Sequence, residues 1–450
     1  MALDPATMSS FVRFLFAFTI GSHILLVSAS VALIVIISAA EFLSIRRNDE
    51  IYGRLSRRLT RVFVVSFGIG TASGIVMAVE LVTLFPGFMT LVAETGVIVL
   101  FYAEVFAFFL EILALVLYVY YRSSFRGRYS HWILSLFVAA GTFASAVLIT
   151  MVNSWMNTPN GFDASAFISS GLKTVTQVQP LAAFLTPSAS AEVTHVVATT
   201  LFAGSMIIGC YFAYWYLRSR DAGEKAMYSR ALKIIGSICI VTIVLAGLTG
   251  SNEMASLLTL QPLKYSALDA NIVPGPNMPE RLFGEVSNGT FVGGIVVPGM
   301  QSFLAQFETG TSYLPGLKQF PPSTWPPLLV HTTFNVMIVG GIVLGLYFLV
   351  YFGWLVLRRR PYESRTLLWL QLPVGVLAVL IYELGWATDE IGRQPWIVYN
   401  VMTVGEAANV SSSLLVPGVL IMLFYLAVVP AGFYFFARVF REPEGGGVNL

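Results

Sequence analysis

Charge is scarce in this sequence. Only 11% of its 450 residues are charged, whereas 56% are hydrophobic and the mean hydropathy is +0.76. A soluble domain carries about 25% charged residues. The shortage of charge therefore excludes an ordinary soluble domain. Together with repeated long apolar runs, it indicates a polytopic helical membrane protein.

Cysteine is also rare, and several catalytic motifs are absent. The two cysteines, Cys210 and Cys239, both fall in apolar runs, which argues against a disulfide framework. No CxxC or Cys/His cluster indicates zinc, and there is no phosphate-binding loop, GxSxG or HExxH motif. No clear internal repeat supports a transporter built from two matched halves.

What the sequence does contain is nine apolar segments, each long enough to cross a bilayer at about 20 residues per crossing. They lie near residues 11–43, 62–85, 95–121, 131–153, 192–217, 231–250, 328–357, 366–384 and 415–437. Lipid cannot satisfy free backbone groups, and the segments are too apolar for barrel strands. We therefore expect an all-α bundle of about nine transmembrane helices. The first run is too long for a signal-peptide core, so we expect it to remain as a span.

The distribution of lysine and arginine predicts the orientation of this bundle. Most of the 26 basic residues lie in alternate connections and in the tail, at 44–61, 122–130, 218–233, 358–365 and 438–441. The other connections carry only Lys173, Lys264, Arg281, Lys318 and Arg393. Because cytoplasmic loops carry the basic excess, we predict an outer N-terminus and a cytoplasmic C-terminus.

Three parts are expected along the chain. Residues 1–250 hold six spans, and residues 328–450 hold the other three. Between them, residues 251–327 form a long outer loop that is rich in proline and glycine. Loops of this length are usually functional or disordered. The long connections on the outer side predict that the functional face lies there.

A polar segment, "GWATDEIGRQPW" (385–396), opens the outer connection that follows the eighth predicted span. Trp386 and Trp396 are typical of the aromatic belt at a membrane interface. That interpretation leaves Glu390 and Arg393 unexplained, so the segment is a candidate site.

Histidine occurs only four times. His23 lies about a dozen residues into the first span, where an imidazole is costly without a partner. A hydrogen bond between helices and ligation of a metal or haem both remain open for it. His195 opens the fifth span at its outer end. Met337 lies in the seventh span, where a methionine by itself is typical of core filling. His131 and His331 lie at the cytoplasmic and outer interfaces, and an ordinary interfacial role is expected for His131.

Two acids lie inside the third span. Glu104 and Glu111 are seven residues apart, almost two full turns, and therefore share one helix face. Intramembrane acids mark ion paths, proton relays or ligands. Glu41, near the cytoplasmic end of the first span, is interpreted as an interfacial residue paired with Arg46 or Arg47.

Taken together, these residues resemble subunit I of the cytochrome bd quinol oxidases, in the variety with a short outer loop. The resemblance covers nearly the whole chain. Its most specific part is the family pattern GW…E.GRQPW, matched by Gly385, Trp386, Glu390, Gly392, Arg393, Gln394, Pro395 and Trp396. Further similar stretches are "RFLFAFTIGSHILL", "AFFLE" (107–111), "SAVLITMVNSWMNTP" (145–159) and "VTHVVATTLFAGSMIIG".

The resemblance implies three haems. His195 and Met337 match the ligands of a low-spin haem b, and methionine raises its potential relative to two histidines. His23 and Glu390 match the ligands of two high-spin haems. Arg393 would pair with haem propionates or carboxylates as a rigid bidentate donor. Trp386 and Trp396 belong to the same family pattern, and the resemblance implies that they also help to bind the cofactor.

The third span departs from the family. In the family, the two glutamates of this span usually lie eight residues apart, whereas here they are seven apart. Glu104 is thus displaced by one residue, which is about 1.5 Å of rise and 100° of rotation. Glu104 is therefore a further candidate iron ligand, and the third haem is either haem d or a third haem b. Glu111 matches the second glutamate and Ser145 a nearby serine. These three residues are the candidates for carrying protons to the oxygen site.

The implied function is oxidation of a membrane quinol at the outer face and reduction of dioxygen to water, which generates a proton motive force without pumping. Lys264 and Asp269, in the outer loop, match residues implicated in quinol binding. The implied partners are a second polytopic subunit, small single-span subunits and the lipid bilayer of a prokaryotic cell membrane, but no nucleic acid. The alternative is a membrane haem b quinol dehydrogenase that lacks haem d or uses another electron acceptor. A haem-free transporter is a third possibility.

Overall fold

The computed structural model describes residues 4–121, 127, 129–287 and 290–441. Its helices, in chain order, are α1 (Pro5–Arg47), α2 (Glu50–Leu84), α3 (Pro86–Glu94), α4 (Ile98–Tyr120), α5 (Ser130–Asn157), α6 (Ala164–Ser169), α7 (Pro180–Phe184), α8 (Ala189–Arg218), α9 (Ala222–Leu260), α10 (Pro262–Leu268), α11 (Met300–Thr309), α12 (Leu329–Arg358), α13 (Arg365–Arg393), α14 (Val404–Ala407) and α15 (Leu415–Arg441). Among these residues, nine helices are long and apolar enough to cross a membrane, which confirms the predicted all-α membrane bundle.

Some predicted features lie outside the described residues. They are the basic residues Arg122, Arg126 and Arg128 of one connection, and the side chain of Arg441 in the tail.

Capping side chains explain where several spans begin and end. α1 begins after Asp4, whose carboxylate accepts a hydrogen bond from the backbone N–H of Thr7 at 3.0 Å. It ends at Arg47, and the next residue, Asn48, adopts the left-handed conformation with φ 51°. α9 begins in the same way, because the Asp221 carboxylate accepts from the N–H of Glu224 at 2.7 Å. Such caps satisfy backbone groups that the helix leaves free at its termini.

α13 is longer than the sequence predicts. It continues past residue 384, through the polar segment, and ends at Arg393. The prediction that a connection opens at residue 385 is therefore wrong. The physical reason is that no proline interrupts the segment before Pro395, and that its polar side chains find partners on neighbouring helices, as described below. Thr388 also donates to the carbonyl of Leu384 at 2.7 Å, a local bond that helices tolerate.

α1 lies at the centre of the bundle. It contacts α2, α5, α8 and α15, and α13 packs against both α8 and α12. Gly204 allows α8 to approach α1 closely, because a Cβ at that position would collide with the carbonyl oxygen of Ser28. The largest buried apolar cluster includes Leu33 of α1, Phe63 of α2 and Phe212 of α8, which are all almost completely buried.

Three of the basic connections, at 44–61, 218–233 and 358–365, meet at one end of the bundle. Arg230 binds Asp49 at 2.8 Å, and Arg58 binds Glu224 at 2.8 Å. Ser229 donates to Glu363 at 2.8 Å, which brings in the connection between α12 and α13. The placement of this end in the cytoplasm remains a prediction.

The opposite end is formed by the long connections. The N–H of Tyr399 donates to the carbonyl of Met156 at 2.8 Å, and that of Asn409 donates to Leu84 at 2.8 Å. Strands β5 (Trp396–Val398) and β6 (Met402–Thr403) form a short antiparallel pair there.

The long loop at this end has its own structure. α10 begins directly after α9, so residues 251–260 of the predicted loop are helical. Two antiparallel pairs follow, joining β1 (Glu280–Leu282) to β4 (Ile295–Val297) and β2 (Glu285–Ser287) to β3 (Thr290–Val292). Leu263 and Leu268 of α10 pack with Leu314, Leu317 and Val330 in a small apolar core. The loop is therefore anchored to the ends of α9 and α12.

Candidate functional site

His23 is held in one orientation by a serine on the neighbouring helix. Its Nδ1 lies 2.8 Å from the hydroxyl oxygen of Ser73, and that hydroxyl donates to the carbonyl of Gly70 at 2.8 Å. Because the hydroxyl proton is used there, the oxygen accepts from Nδ1–H, and the lone pair of the ring belongs to Nε2. The imidazole lies against Gly74, where a Cβ would be 3.1 Å from its Cε1.

His195 repeats this arrangement in another part of the bundle. Its Nδ1 lies 3.1 Å from the hydroxyl oxygen of Thr249, which donates to the carbonyl of Leu245 at 2.7 Å. The lone pair of this ring is again on Nε2. A Cβ on Gly250 would be 3.2 Å from the ring, so glycine again makes room for the imidazole.

Met337 lies on α12, which packs against α13. A Cβ on Gly385 would be 3.2 Å from its Sδ, which places the thioether against the start of the polar segment. His195 on α8 and Met337 on α12 therefore stand on two helices that both pack against α13.

The other two histidines use both ring nitrogens for hydrogen bonds. His131 contacts Glu41 through Nδ1 at 2.5 Å and the carbonyl of Tyr118 through Nε2 at 2.8 Å. His331 contacts the carbonyls of Leu268 at 2.6 Å and Phe283 at 3.1 Å. Their nitrogens are committed to protein groups, so these two rings have a structural role.

Glu41 is bound differently from the prediction. Its carboxylate contacts His131 and accepts from the hydroxyl of Tyr118 at 2.6 Å. The predicted pairing with Arg46 or Arg47 is wrong. Glu41 is buried inside the bundle at the α1–α4–α5 contact, and partners on α4 and α5 reach it there.

The two glutamates of α4 each have a hydroxyl partner on α5. Ser145 donates to Glu104 at 3.0 Å, and Thr142 donates to Glu111 at 2.5 Å. Ser145 is thus the hydrogen-bond partner of Glu104 and not of Glu111. The partner of Glu111 is Thr142, which was not predicted. The spacing of Thr142 and Ser145, three apart on one face of an apolar span, was the signal that could have identified the pair.

Arg393 is completely enclosed at the end of α13. It donates to Glu390 at 2.6 Å, and it also donates to the amide oxygens of Asn153 at 2.6 Å and Asn157 at 3.0 Å. Only 2% of Arg393 is exposed. A carboxylate partner of Arg393 is therefore Glu390, and α5 holds the guanidinium in place.

Asp389 is a site residue that sequence reasoning missed. It accepts from the amides of Asn153 at 2.7 Å and Asn157 at 3.2 Å, and it forms an ion pair with Lys264. The two asparagines lie four apart within an apolar span, which is a signal that the sequence offered. Through them, α5 binds Asp389 and Arg393 together.

Lys264 and Asp269 belong to different networks although both lie on or beside α10. Both are 2% exposed. Lys264 binds Asp389, whereas Asp269 accepts from the amide of Gln301. Burial, followed by repulsion from Glu280, raises the pKa of Asp269 well above its ordinary value.

The polar segment also contains groups that have no protein partner. The indole N–H of Trp396 and the amide oxygen of Gln394 are buried without a hydrogen bond to any described residue. Deeper in the bundle, the same holds for one oxygen of Glu383 and both of Glu80. Trp386 lies on α13, near Tyr382. Glu80 and Glu383 were not predicted, although an acid inside an apolar run was a visible signal.

Comparison with known proteins decides the family. The profile described as "Cytochrome bd terminal oxidase subunit I" matches residues 11–444. The chain belongs to the cytochrome bd terminal oxidase subunit I family. Among relatives of this subunit, the "Putative cytochrome bd menaquinol oxidase subunit I" of Bacillus subtilis (strain 168) is 30% identical over 438 residues, which cover 96% of each chain.

Two further similar proteins support membership of the cytochrome bd subunit I family. The "Cytochrome bd ubiquinol oxidase subunit 1" of Bacillus subtilis (strain 168) is 24% identical over 415 residues, covering 88% of this chain and 85% of its own. The bd oxidase structure from Geobacillus thermodenitrificans is similar with a TM-score of 0.88 and 29% identity, over 96% of this chain and 98% of that one. The chain is thus an oxidoreductase subunit and a multi-pass membrane protein, from a haem-binding family in which subunit I pairs with subunit II.

The residues of this cytochrome bd subunit fit haem. A histidine that ligates a metal through one nitrogen usually donates its other N–H to a protein group, as His23 and His195 do. Gly74 and Gly250 leave room for the imidazoles of His23 and His195, respectively. The unpartnered N–H of Trp396 is a donor of the kind that a propionate accepts from.

Proposed function

We propose that this chain is the subunit that oxidises membrane quinol at the outer face and reduces dioxygen to water, generating a proton motive force without pumping. The observation that carries the proposal is the matched pair His23 and His195, each anchored through Nδ1 to a hydroxyl so that Nε2 can bind iron. The printed names of relatives as menaquinol and ubiquinol oxidases support it.

The haem ligands in this proposal are those that the resemblance implies. His195 and Met337 would hold a low-spin haem b. His23 and Glu390 would hold two high-spin haems, with Glu104 as the further candidate, and the third haem is haem d or a third haem b. When bound, the haems supply electron transfer and the activation of dioxygen. Arg393 orients Glu390, because the two groups are 2.6 Å apart.

Glu111 and Glu104 would hold protons on their way to the oxygen site. They lie on one face of α4, about 10 Å apart along the helix. Thr142 and Ser145 fix the two carboxyls against α5. Because Glu111 is nearer the basic end, a proton taken up from the cytoplasm would reach it first.

The quinol would bind beside α10, where Lys264 and Asp269 lie. Partners of the chain would be subunit II, small single-span subunits and the bilayer of a prokaryotic plasma membrane. Exposed apolar side chains on α4, such as Phe106 at 65% and Phe109 at 63%, provide a surface suited to lipid or to another subunit.

The test is a visible spectrum, a pyridine haemochrome analysis and an oxygen-uptake assay on the purified complex. We expect haem b bands, with a red chlorin band if haem d is present, and oxygen uptake that depends on added quinol. A complex without Soret absorbance would refute haem binding. Reduction of the haems by quinol without oxygen uptake would instead support the dehydrogenase alternative.

A further inference from the structure

Four ionisable side chains from four helices lie together beside the start of the outer loop. We call them the Lys264 cluster: Lys264 of α10, Asp389 of α13, Glu192 of α8 and Glu253 of α9. Lys264 binds Asp389 directly. Glu192 interacts electrostatically with Asp389 and Lys264, and Glu253 interacts with Glu192, Lys264 and Asp389.

α5 fixes the cluster in place. The hydroxyl of Ser154 donates to Glu192 at 3.0 Å, and the amide of the preceding residue, Asn153, donates to Asp389 at 2.7 Å. Adjacent residues of one helix thus hold two of the three carboxyls. The lysine charge is taken up by Asp389, and no cation binds Glu192 or Glu253 directly among the residues the structure describes.

Two oxygen atoms of the cluster lack partners. Glu192 Oε1 and Glu253 Oε2 are buried without a hydrogen bond to any described residue, and only 6% of Glu192 is exposed. The amide oxygen of Gln261, three residues before Lys264, is also buried and unpartnered. Carboxylate and amide oxygens are acceptors. A ligand that satisfies them must donate hydrogen bonds, as a hydroxyl does, whereas a propionate or phosphate would be repelled.

The cluster adjoins the proposed low-spin haem ligand. Glu192 lies three residues, about one turn, before His195 on α8. Glu253 lies four residues after Thr249, the hydroxyl partner of His195, on α9. On the same helix, Leu248 is 65% exposed, which offers an apolar surface for a hydrocarbon tail. A ligand whose hydroxyl groups donate hydrogen bonds, and which also donates electrons, is therefore suited to this position.

We propose that Glu192 and Glu253 are the acceptors of the two hydroxyl protons of the quinol. This inference rests on the proposed function and assigns residues to its first half-reaction. The two O–H bonds of the quinol break, and one proton passes to each carboxylate. The quinol ring gives up two electrons and becomes a quinone, and dioxygen is the final oxidant. His195 would hold a haem that supplies electron transfer. The carboxyls then release both protons to the outer solution.

The experiment compares Glu192→Gln, Glu253→Gln and the double variant with the wild-type chain, each in the purified holo complex. Glu285→Gln, which changes an exposed carboxyl of strand β2, is the matched control. Two electron donors are used: a quinol, and reduced tetramethyl-p-phenylenediamine, which delivers electrons without protons. Infrared difference spectra of the complex, recorded on addition of quinol, report protonation of carboxyl groups independently of turnover.

We expect the double variant to lose about 100-fold in kcat with quinol and to change less than about twofold with the diamine. The carboxylic acid band that quinol induces in the wild type should weaken in each single variant and persist in Glu285→Gln. Wild-type quinol turnover together with an unchanged band in the double variant would overturn this inference alone. A wild-type complex that oxidises no quinol would overturn the proposed function as well.

Discussion

The ammonium group of Lys264 binds the carboxylate of Asp389, which lies 125 residues further along the chain. This ion pair joins the outer loop to the end of α13. Asp389 is followed by Glu390, which holds Arg393. One helical turn therefore connects the proposed quinol site with a proposed haem ligand, so that a change on one side can alter the geometry of the other.

Breaking this ion pair should destabilise the protein. Asp389→Asn removes the ion-pair partner of the buried ammonium of Lys264, and breaking a buried pair in this way costs about 3–5 kcal/mol. Replacing both residues, as Asp389→Asn with Lys264→Met, removes both charges, so the double variant should lose less than the sum of the single variants. Thermal unfolding of the purified complex measures this in a double-mutant cycle. Strict additivity would show that the pair is not coupled.

Met337→Leu should remove the low-spin haem spectrum and leave the high-spin haems. Leucine fills a similar volume but offers no sulfur to iron, so the expected loss concerns ligation and not packing. Reduced-minus-oxidised difference spectra measure this. Met254→Leu, in the same apolar core, is the matched control and should leave all bands intact. A normal low-spin band in Met337→Leu would exclude the thioether as a ligand.

The hydroxyl groups that orient the two histidines should control haem retention. Thr249→Val keeps the side-chain shape but removes the acceptor for His195 Nδ1–H, and Ser73→Ala does the same for His23. Loss of such a partner weakens metal binding about 10- to 100-fold.

We therefore expect Thr249→Val to lose haem b, measured as haem per protein after dilution, and Thr249→Ser to restore it. Each variant should affect only the haem of its own histidine. Full haem content in both variants would show that these hydroxyls do not support ligation.

The outer loop should be more stable in acid than in alkaline solution because of Asp269. Burial raises the pKa of this carboxyl in the folded protein above its ordinary value of 3.8. The folded state therefore binds the proton more tightly than the unfolded state, and the resulting stability is lost as the pH rises through the raised pKa.

Hydrogen-exchange protection factors of α10 and α11, corrected for the intrinsic exchange rate at each pH, measure this effect. We expect protection to fall from mildly acidic to alkaline buffer. Asp269→Asn, which cannot ionise, should flatten the dependence. An equally steep fall in that variant would assign the effect to another group.

Local patterns in the sequence were sufficient for the membrane architecture. The nine spans follow from the length of apolar runs, because a backbone in lipid has almost no alternative to the helix. The structure confirms them within the residues that it describes. The family was also predictable, from the pattern around Glu390 and Arg393. The end of α13 was not, because polar residues at a membrane boundary look alike whether they form a turn or the last turns of a helix.

The sequence by itself therefore determined the class of membrane protein and the residue types at the candidate site. The roles assigned to His23, His195, Met337 and Glu390 as ligands remain predictions. Only the tertiary structure decided which groups meet: that Lys264 binds Asp389, that Ser145 belongs to Glu104, and that each orienting hydroxyl leaves Nε2 available. These contacts join residues far apart in the chain, and side-chain partners between helices depend on how the helices pack, which no local pattern encodes.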